Sequence, residues 1–450
     1  MSFLELGLSD PIIKSITDHG YTTPTKIQEA AIPVILSGND VLASAQTGSG
    51  KTAGFTLPIL NILSDKSVKG PSSGRPPIRA LILVPTRELA AQVEESVSSY
   101  GKNLTLSSMT MIGGVSINPQ IKRLNSRVDI LIATPGRLLD HVAQKTVDLS
   151  QIKILVLDEA DRMLDMGFIR DIKKILALLP KSRQSLLFSA TFSKEIRALA
   201  ETFLNKPVLI ETEKSNSTVP LITHKVHLVN ADKKRALLAH LIQEKNWFQV
   251  LVFTKTKHGA NKLAEFLVNQ GISALAIHGN KSQSARTRTL AEFKQGSLQV
   301  MVATDIAARG LDIVDLPHVV NFDLPNVPED YVHRIGRTGR AGKTGDAVSL
   351  VSQEDKKLLN AIEKLIAMKI PEESISGFEI TKNTPTPKKL ATKPPVQQKS
   401  TKPQQPSQKI KPFIGKKTVK KEASSKPAKV AKKESVVVLL NKPPKKNKLK

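Results

Sequence analysis

Short apolar runs that end in small or polar residues recur through the first 380 residues, and helix-like stretches separate them. Continuous apolar strands alternating with amphipathic helices are typical of a parallel sheet buried on both faces. Ligands of such sheets bind beyond the carboxyl ends of the strands, which is where the polar clusters of this chain fall. The pattern therefore predicts an α/β fold with its functional residues along one sheet edge.

The pattern lapses only once, so we expect two tandem α/β domains of similar construction. They span residues 1–210 and 224–370, a linker covers 211–223, and an amphipathic helix over 355–370 closes the second domain. The predicted strand runs lie at 40–50, 79–88, 104–114, 128–137, 153–161, 184–191, 248–257, 272–279, 298–310, 318–325 and 345–352.

The net charge of +27 is unevenly distributed. Residues 381–450 contain 21 Lys and 2 Glu, a charge of +19, which leaves +8 for residues 1–380. With ten prolines and a single aromatic residue, Phe413, this region lacks the apolar surface that folding requires. We predict a disordered basic tail over 371–450. It acts either as a solubilising segment or as a non-specific tether for nucleic acid.

Several classes of protein are excluded or disfavoured. The chain has no cysteine, so disulfides and thiolate metal sites are impossible. The N-terminus does not resemble a signal peptide, and no apolar run approaches the roughly 18 residues of a membrane span. We expect a cytoplasmic protein that does not bind membranes.

The segment AQTGSGKT at 45–52 follows a predicted strand and precedes a predicted helix. Backbone amides of such a loop bind phosphates, Lys51 reaches the terminal phosphates, and the Thr52 hydroxyl can bind Mg²⁺. The alternative is an ordinary glycine-rich turn. The candidate nucleotide-binding residues are Ala45, Gln46, Thr47, Gly48, Ser49, Gly50, Lys51 and Thr52.

A second cluster, LVLDEAD, ends in carboxylates at the close of a predicted strand. Asp158 there can bind Mg²⁺ through water, and Glu159 can orient the water that attacks a phosphate. In the second domain, YVHRIGRTGRAG at 331–342 places arginines three residues apart. Arg337 and Arg340 are candidate fingers for a γ-phosphate, although a plain RNA-contacting patch is the alternative. Because the groups are divided between domains, hydrolysis should require domain closure.

The motifs AQTGSGKT, PTREL, GG, TPGR, DEAD, SAT, ARGLD and HRIGRTGR occur in this order between residues 45 and 340. In this respect the chain resembles the DEAD-box ATP-dependent RNA helicases of superfamily 2, and the Lys-rich extension resembles the bacterial RhlE-type branch. The resemblance implies two RecA-like domains, ATP and Mg²⁺ as cofactors, and single-stranded or short duplex RNA as the partner.

The resemblance also assigns roles to individual residues. Within an adenine-reading segment at 1–29, Gln28 would hydrogen-bond adenine, with Tyr21 and Phe3 near the base, and Asp312 would contact the ribose. Ser189 and Thr191 would link the ATP site to RNA through Asp161 and His333. The implied RNA contacts are Pro85, Thr86, Arg87, Gly113, Gly114, Thr134, Gly136, Arg137, Thr254, Arg286 and Thr304.

These contacts are backbone, hydroxyl and guanidinium donors suited to phosphates and 2′-OH groups, so we expect binding independent of sequence. The predicted function is RNA-stimulated ATP hydrolysis that unwinds short RNA duplexes or remodels RNA–protein complexes. Ribosomal RNA or the mRNA-decay machinery are candidate targets, and a monomer is the default state. An RNA chaperone with ATP-gated release and a DNA helicase are the alternatives.

Overall fold

Two parallel β-sheets organise the chain. The computed structural model describes residues 2–44, 48–65, 77–211, 222–308, 311, 313, 316–339 and 344–380. The strands are β1 (Val41–Ser44), β2 (Ala80–Leu83), β3 (Ser108–Met111), β4 (Ile130–Ala133), β5 (Ile154–Leu157), β6 (Gln184–Ser189), β7 (Val208–Glu211), β8 (Ile222–Leu228), β9 (Val250–Thr254), β10 (Ala274–Ile277), β11 (Val300–Thr304), β12 (His318–Asn321) and β13 (Gly345–Val351).

Helices cover the faces of both sheets. They are α1 (Asp10–Asp18), α2 (Lys26–Leu36), α3 (Lys51–Ser64), α4 (Arg87–Tyr100), α5 (Asn118–Leu124), α6 (Pro135–Ala143), α7 (Ala160–Asp165), α8 (Ile169–Leu178), α9 (Lys194–Glu201), α10 (Lys234–Glu244), α11 (Lys257–Asn269), α12 (Gln283–Lys294), α13 (Asp305–Ala308), α14 (Pro328–Ile335) and α15 (Lys356–Ile366), with short 3₁₀ turns at Phe3–Leu6 and Gln353–Asp355.

The first sheet has the strand order β3-β4-β2-β5-β6-β1-β7 and the second has β10-β11-β9-β12-β13-β8. All strand pairs are parallel. We call the residues around the first sheet, 2–211, the first lobe and residues 222–380 the second lobe. The alternation of apolar runs with helix-like stretches in the sequence therefore predicted the α/β fold class correctly.

Each sheet is buried on both faces because alternate side chains of a strand point to opposite sides. In β2, Ala80 and Ile82 pack into one apolar cluster, whereas Leu81 and Leu83 pack into another. The same alternation divides β9 between two clusters of the second lobe. A strand with two apolar faces has a continuous apolar sequence, which is why these runs were recognisable.

The predicted domain boundaries need correction at the linker. Glu211 is the last residue of β7, and residues 222–223 open β8, so both ends of the predicted 211–223 segment belong to sheets. Residues 212–221 lie outside the described residues. β7 and β8 are edge strands, and an edge strand has fewer buried positions than a central one. The apolar signal is consequently weaker there.

The predicted tail also begins too early. We call residues 371–380 the C-terminal strap, because this segment packs against the second lobe. Val226 in β8 donates from its amide to the Pro371 carbonyl at 2.9 Å and accepts from the Glu373 amide at 2.9 Å. Phe378 stacks on His240 with ring centroids 5.4 Å apart. Ile375 and Phe378 both pack on one of the two apolar clusters to which β9 contributes. Residues 381–450 lie outside the described part of the chain.

None of the helices in the described residues is long and apolar enough to cross a membrane.

Candidate functional site

The carboxyl edge of the first sheet contains a helix N-terminus flanked by glycines. Gly50 precedes α3 with φ +90°, a left-handed conformation that costs little only in glycine, and Gly48 has φ +83°. The predicted residues Ala45, Gln46 and Thr47 lie outside the described residues. The side chain of Gln28 donates to the Gly50 carbonyl at 3.1 Å, so α2 packs directly against this turn.

Lys51, the first residue of α3, is 6% exposed, and its Nζ has no hydrogen-bond partner among the described residues. A buried ammonium without an acceptor is costly, so this geometry suits an anionic ligand. Asp158 follows β5 and is 2% exposed. Burial raises the pKa of Asp158 to about 6, although the neighbouring Lys51 ammonium lowers it.

Glu159 has a strained backbone. Its φ of +52° and ψ of +51° are left-handed values that non-glycine residues adopt at a cost of roughly 1–3 kcal/mol. Its carboxylate is buried, and its Oε2 has no hydrogen-bond partner among the described residues. Arg162, one helical turn later, places Nη1 3.5 Å from that oxygen. The result is a buried, ion-paired carboxylate next to Asp158 in the sequence.

Asp161 connects the end of β5 to the end of β6. Its Oδ2 accepts from the backbone amides of Ala190 and Thr191 at 3.0 Å and from Thr191 Oγ1 at 3.3 Å. Ser189 Oγ donates to the Thr191 carbonyl at 2.8 Å. The contact predicted between Asp161 and the SAT segment is therefore present. His333 lines a crevice between the two lobes, together with Arg162 of the first lobe.

In the second lobe, the three arginines of the 331–342 segment differ in their surroundings. Arg334 binds Asp305 through two nitrogens at 2.6 and 2.8 Å and lies over the Phe253 ring, so its role is structural. Arg337 is 3% exposed and donates from Nη1 to the Leu311 carbonyl at 2.7 Å. Arg340 and Asp312 lie outside the described residues.

The predicted RNA contacts of the first lobe lie after β2, β3 and β4, at the carboxyl edge of the sheet. Thr86 caps α4 by accepting from the Leu89 amide at 3.2 Å. The Arg87 guanidinium packs on Gly114, where a Cβ would overlap it. Thr134 and Gly136 flank the start of α6, and Arg137 donates to the Val115 carbonyl at 2.9 Å. Pro85 is buried, while Gly113 has open space where a Cβ would point.

In the second lobe, Thr254 and Thr304 end the paired strands β9 and β11 in matching register, and both are buried. Arg286 does not present a free guanidinium, since its Nη2 lies 2.8 Å from Glu88 Oε2 across the two lobes. Gln283 strengthens this contact: it donates to Glu88 at 3.0 Å and accepts from Arg87 at 3.3 Å. In this structure Arg286 forms an interlobe ion pair, and its RNA contact stays a prediction.

Comparisons with known proteins agree with this arrangement. Residues 25–199 match the DEAD/DEAH box helicase family, and residues 232–342 match the helicase conserved C-terminal domain. The chain is 41% identical over 370 residues to the ATP-dependent RNA helicase CshA of Limosilactobacillus reuteri, covering 82% of this chain and 73% of that one. The chain belongs to the DEAD-box family of RNA helicases.

Other DEAD-box relatives support the same assignment. The RNA helicase RhpA of Helicobacter pylori is 41% identical over 369 residues, covering 82% of this chain and 73% of RhpA. The structure of Saccharomyces cerevisiae Dbp5 bound to RNA and ADP BeF3 superposes with a TM-score of 0.73 at 32% identity, covering 83% of this chain and 95% of Dbp5. The fold and the ATP-dependent RNA helicase activity are thereby confirmed, whereas the RhlE-type branch stays a prediction.

In this DEAD-box chain the residues predicted to read adenine differ in accessibility. Gln28 is 6% exposed, and its Oε1 accepts from the Thr25 amide at 2.9 Å. Phe3 is buried in the apolar cluster of the first lobe, which leaves little ring surface for a base. Tyr21 is 53% exposed and stacks near His19.

The sequence did not reveal three residues of the interlobe contacts: Glu88, Arg162 and Gln283. Each has a weak signal, because Glu88 lies inside PTREL, Arg162 directly follows DEAD, and Gln283 precedes Arg286 by one helical turn in α12. Glu88 and Gln283 have their partners in the opposite lobe, and no local spacing reports such a contact.

Proposed function

We propose that this helicase hydrolyses ATP at the carboxyl edge of the first sheet, with its two lobes contributing different groups. The loop 45–52 binds the phosphates and Lys51 pairs with their charge. Glu159 orients the attacking water, and Arg337 with Arg340 stabilises charge in the transition state. The observation that supports this most strongly is the buried Lys51 ammonium without a hydrogen-bond partner among the described residues, beside the buried Asp158.

Magnesium fits the same site. No group of three or more His, Asp or Glu side chains suited to a metal lies in the described ranges, so the ion would need oxygens of the nucleotide as well. Thr52 and Asp158 are the residues that would hold it. A bound Mg²⁺ would neutralise part of the phosphate charge. Gln28, Tyr21 and Phe3 would recognise adenine, and Asp312 the ribose.

RNA would lie across the carboxyl edges of both sheets, against the Thr86–Arg87, Gly113–Gly114, Thr134–Arg137, Thr254 and Thr304 segments. Closure of the lobes on RNA and ATP would bend the bound strand away from duplex geometry. Each lost base-pair step costs about 1–2 kcal/mol, so strain at one site opens only short duplexes. Separation of long duplexes in a single binding event would contradict this proposal.

The enzyme reaction can be tested by measuring ATP hydrolysis with single-stranded RNA, with single-stranded DNA of equal length, and with neither. We expect stimulation by RNA. Equal stimulation by DNA would favour the DNA helicase instead. Glu159→Gln separates the helicase from an RNA chaperone, because annealing or strand exchange would survive this substitution whereas ATP-dependent unwinding would not.

For the cellular role, we propose a cytoplasmic monomer acting on ribosomal RNA or on transcripts undergoing decay. This proposed role rests on membership of the DEAD-box family and on the +19 charge of residues 381–450, which favours binding to polyanions. Crosslinking of the full chain to RNA in cells, followed by sequencing, would identify the target.

A further inference from the structure

Arg162 is a buried cation for which the ATPase reaction has so far required no role. It lies on α7 directly after the DEAD segment, and its side chain is 4% exposed. Its Nη1 is 3.5 Å from Glu159 Oε2, and neither atom has a hydrogen-bond partner among the described residues. A buried ion pair that lacks supporting hydrogen bonds adds little to stability, so stability alone does not account for this arrangement.

The Arg162 side chain also faces the second lobe. It lines a narrow crevice between the lobes, and of the described residues lining that crevice it alone comes from the first lobe. The opposite wall includes Phe253, Asp330, His333 and Arg334. Two carboxylates, Asp305 and Asp330, therefore offset the positive charge on that wall. On this side, the second lobe covers Arg162 in the structure.

We propose that Arg162 is a positioning residue that makes the orientation of Glu159 depend on lobe closure. This inference rests on the proposed role of Glu159 in orienting the attacking water. When the lobes separate, water reaches the guanidinium and screens its attraction for the Glu159 carboxylate. When they close, the same pair is desolvated, the attraction strengthens, and the carboxylate is fixed in one place. In this role Arg162 acts on the reaction through Glu159.

The geometry of Glu159 makes it sensitive to such a partner. Its left-handed backbone places the carboxylate at the start of a short helix. Apart from Arg162, no cation lies within 4.0 Å of this carboxylate among the described residues. A misplaced reacting group costs on the order of 10²-fold in rate, so a small loss of order at Glu159 has a measurable effect.

The test uses the full chain with Arg162→Gln and Arg162→Lys, and with Arg170→Gln as a matched control on the exposed face of α8. The kcat and the KM for ATP are measured at saturating single-stranded RNA and without RNA. We expect Arg162→Gln to lower the RNA-stimulated kcat by about 10- to 100-fold. The rate without RNA should fall less, so that the ratio of the two rates drops, and the KM for ATP should change little. Arg162→Lys should be intermediate, and Arg170→Gln should match the unsubstituted chain.

Three results would contradict the inference. An unchanged kcat in Arg162→Gln would show that Arg162 does not position Glu159. Equal falls in the rates with and without RNA, for both Arg162 variants, would indicate a purely structural role. A raised KM for ATP with unchanged kcat would instead place Arg162 in nucleotide binding. If the unsubstituted chain shows no RNA stimulation, the proposed function itself fails, which distinguishes the two failures.

Discussion

At the scale of single residues, backbone conformation determines where charged groups lie in this site. Gly114 has φ +73°, and the Arg87 guanidinium packs where a Cβ would otherwise stand. Arg87 in turn contacts Gln283 of the second lobe. One glycine thus gives an arginine access both to the predicted RNA surface and to the interlobe contact.

Gly114→Ala should weaken RNA binding because the added methyl displaces the Arg87 guanidinium. We expect the concentration of RNA that gives half-maximal ATPase stimulation to rise about tenfold, which corresponds to roughly 1.4 kcal/mol, with little change in the KM for ATP. Gly167→Ala is the control, since Gly167 has φ +81° but open space around its Cβ position. Equal effects of the two substitutions would mean that backbone strain, and not Arg87, is responsible.

Sequence predicted the identities of the site residues better than their partners. Lys51, Asp158 and Asp161 lie in local strings whose spacing reflects a strand, a turn and a helix, so their placement followed from the sequence. Arg286 has the right chemistry for RNA, but its pairing with Glu88 depends on how two lobes meet. The two partners are about 200 residues apart in the sequence, so no local pattern reports their contact.

At the scale of elements, an ionised carboxylate connects the 3₁₀ turn at Gln353–Asp355 to α10. Asp355 Oδ2 accepts from Lys234 Nζ at 2.7 Å and from Ser352 Oγ at 2.7 Å. Burial raises the pKa of Asp355, but these hydrogen bonds outweigh it, so the pKa lies below the usual 3.8. The folded protein therefore binds this proton less tightly than the unfolded chain does. Its contribution to stability is present above about pH 4 and is lost as the pH falls through the lowered pKa.

Asp355→Asn should accordingly destabilise the second lobe at neutral pH and have a smaller effect near pH 3. Urea unfolding of the variant and of the unsubstituted chain at about pH 7 and about pH 3 measures this difference. A destabilisation that is equal at both pH values would show that the charge of Asp355 does not contribute.

The C-terminal strap is the element that composition failed to predict. Residues 371–380 contain one Pro, two Ser, three Glu and no Lys, and two apolar side chains and one β-bridge hold them against the second lobe. A chain ending at Ile380 should retain the stability of the full chain. A chain ending at Ile370 should lose about 2–3 kcal/mol, from the apolar contacts of Ile375 and Phe378 and the two hydrogen bonds to Val226. Equal unfolding midpoints for the two truncations would contradict the role of the strap.

At the scale of the whole molecule, the reactive groups are divided between the two lobes. Lys51, Asp158 and Glu159 belong to the first lobe and Arg337 to the second, while Glu88 with Arg286 and Gln283 connects them. The sequence predicted this division, because the second lobe has no phosphate loop of its own. It could not predict the contacts that bring the lobes together.

We propose that ATP is split only when the second lobe completes the site. The most direct test is single-turnover ATP hydrolysis with saturating RNA in Arg337→Ala, together with its ATP affinity and unfolding temperature. We predict a rate lower by on the order of 10³-fold, in the range found for arginine fingers, with ATP still bound and the chain still folded. A rate equal to that of the unsubstituted enzyme would contradict the account.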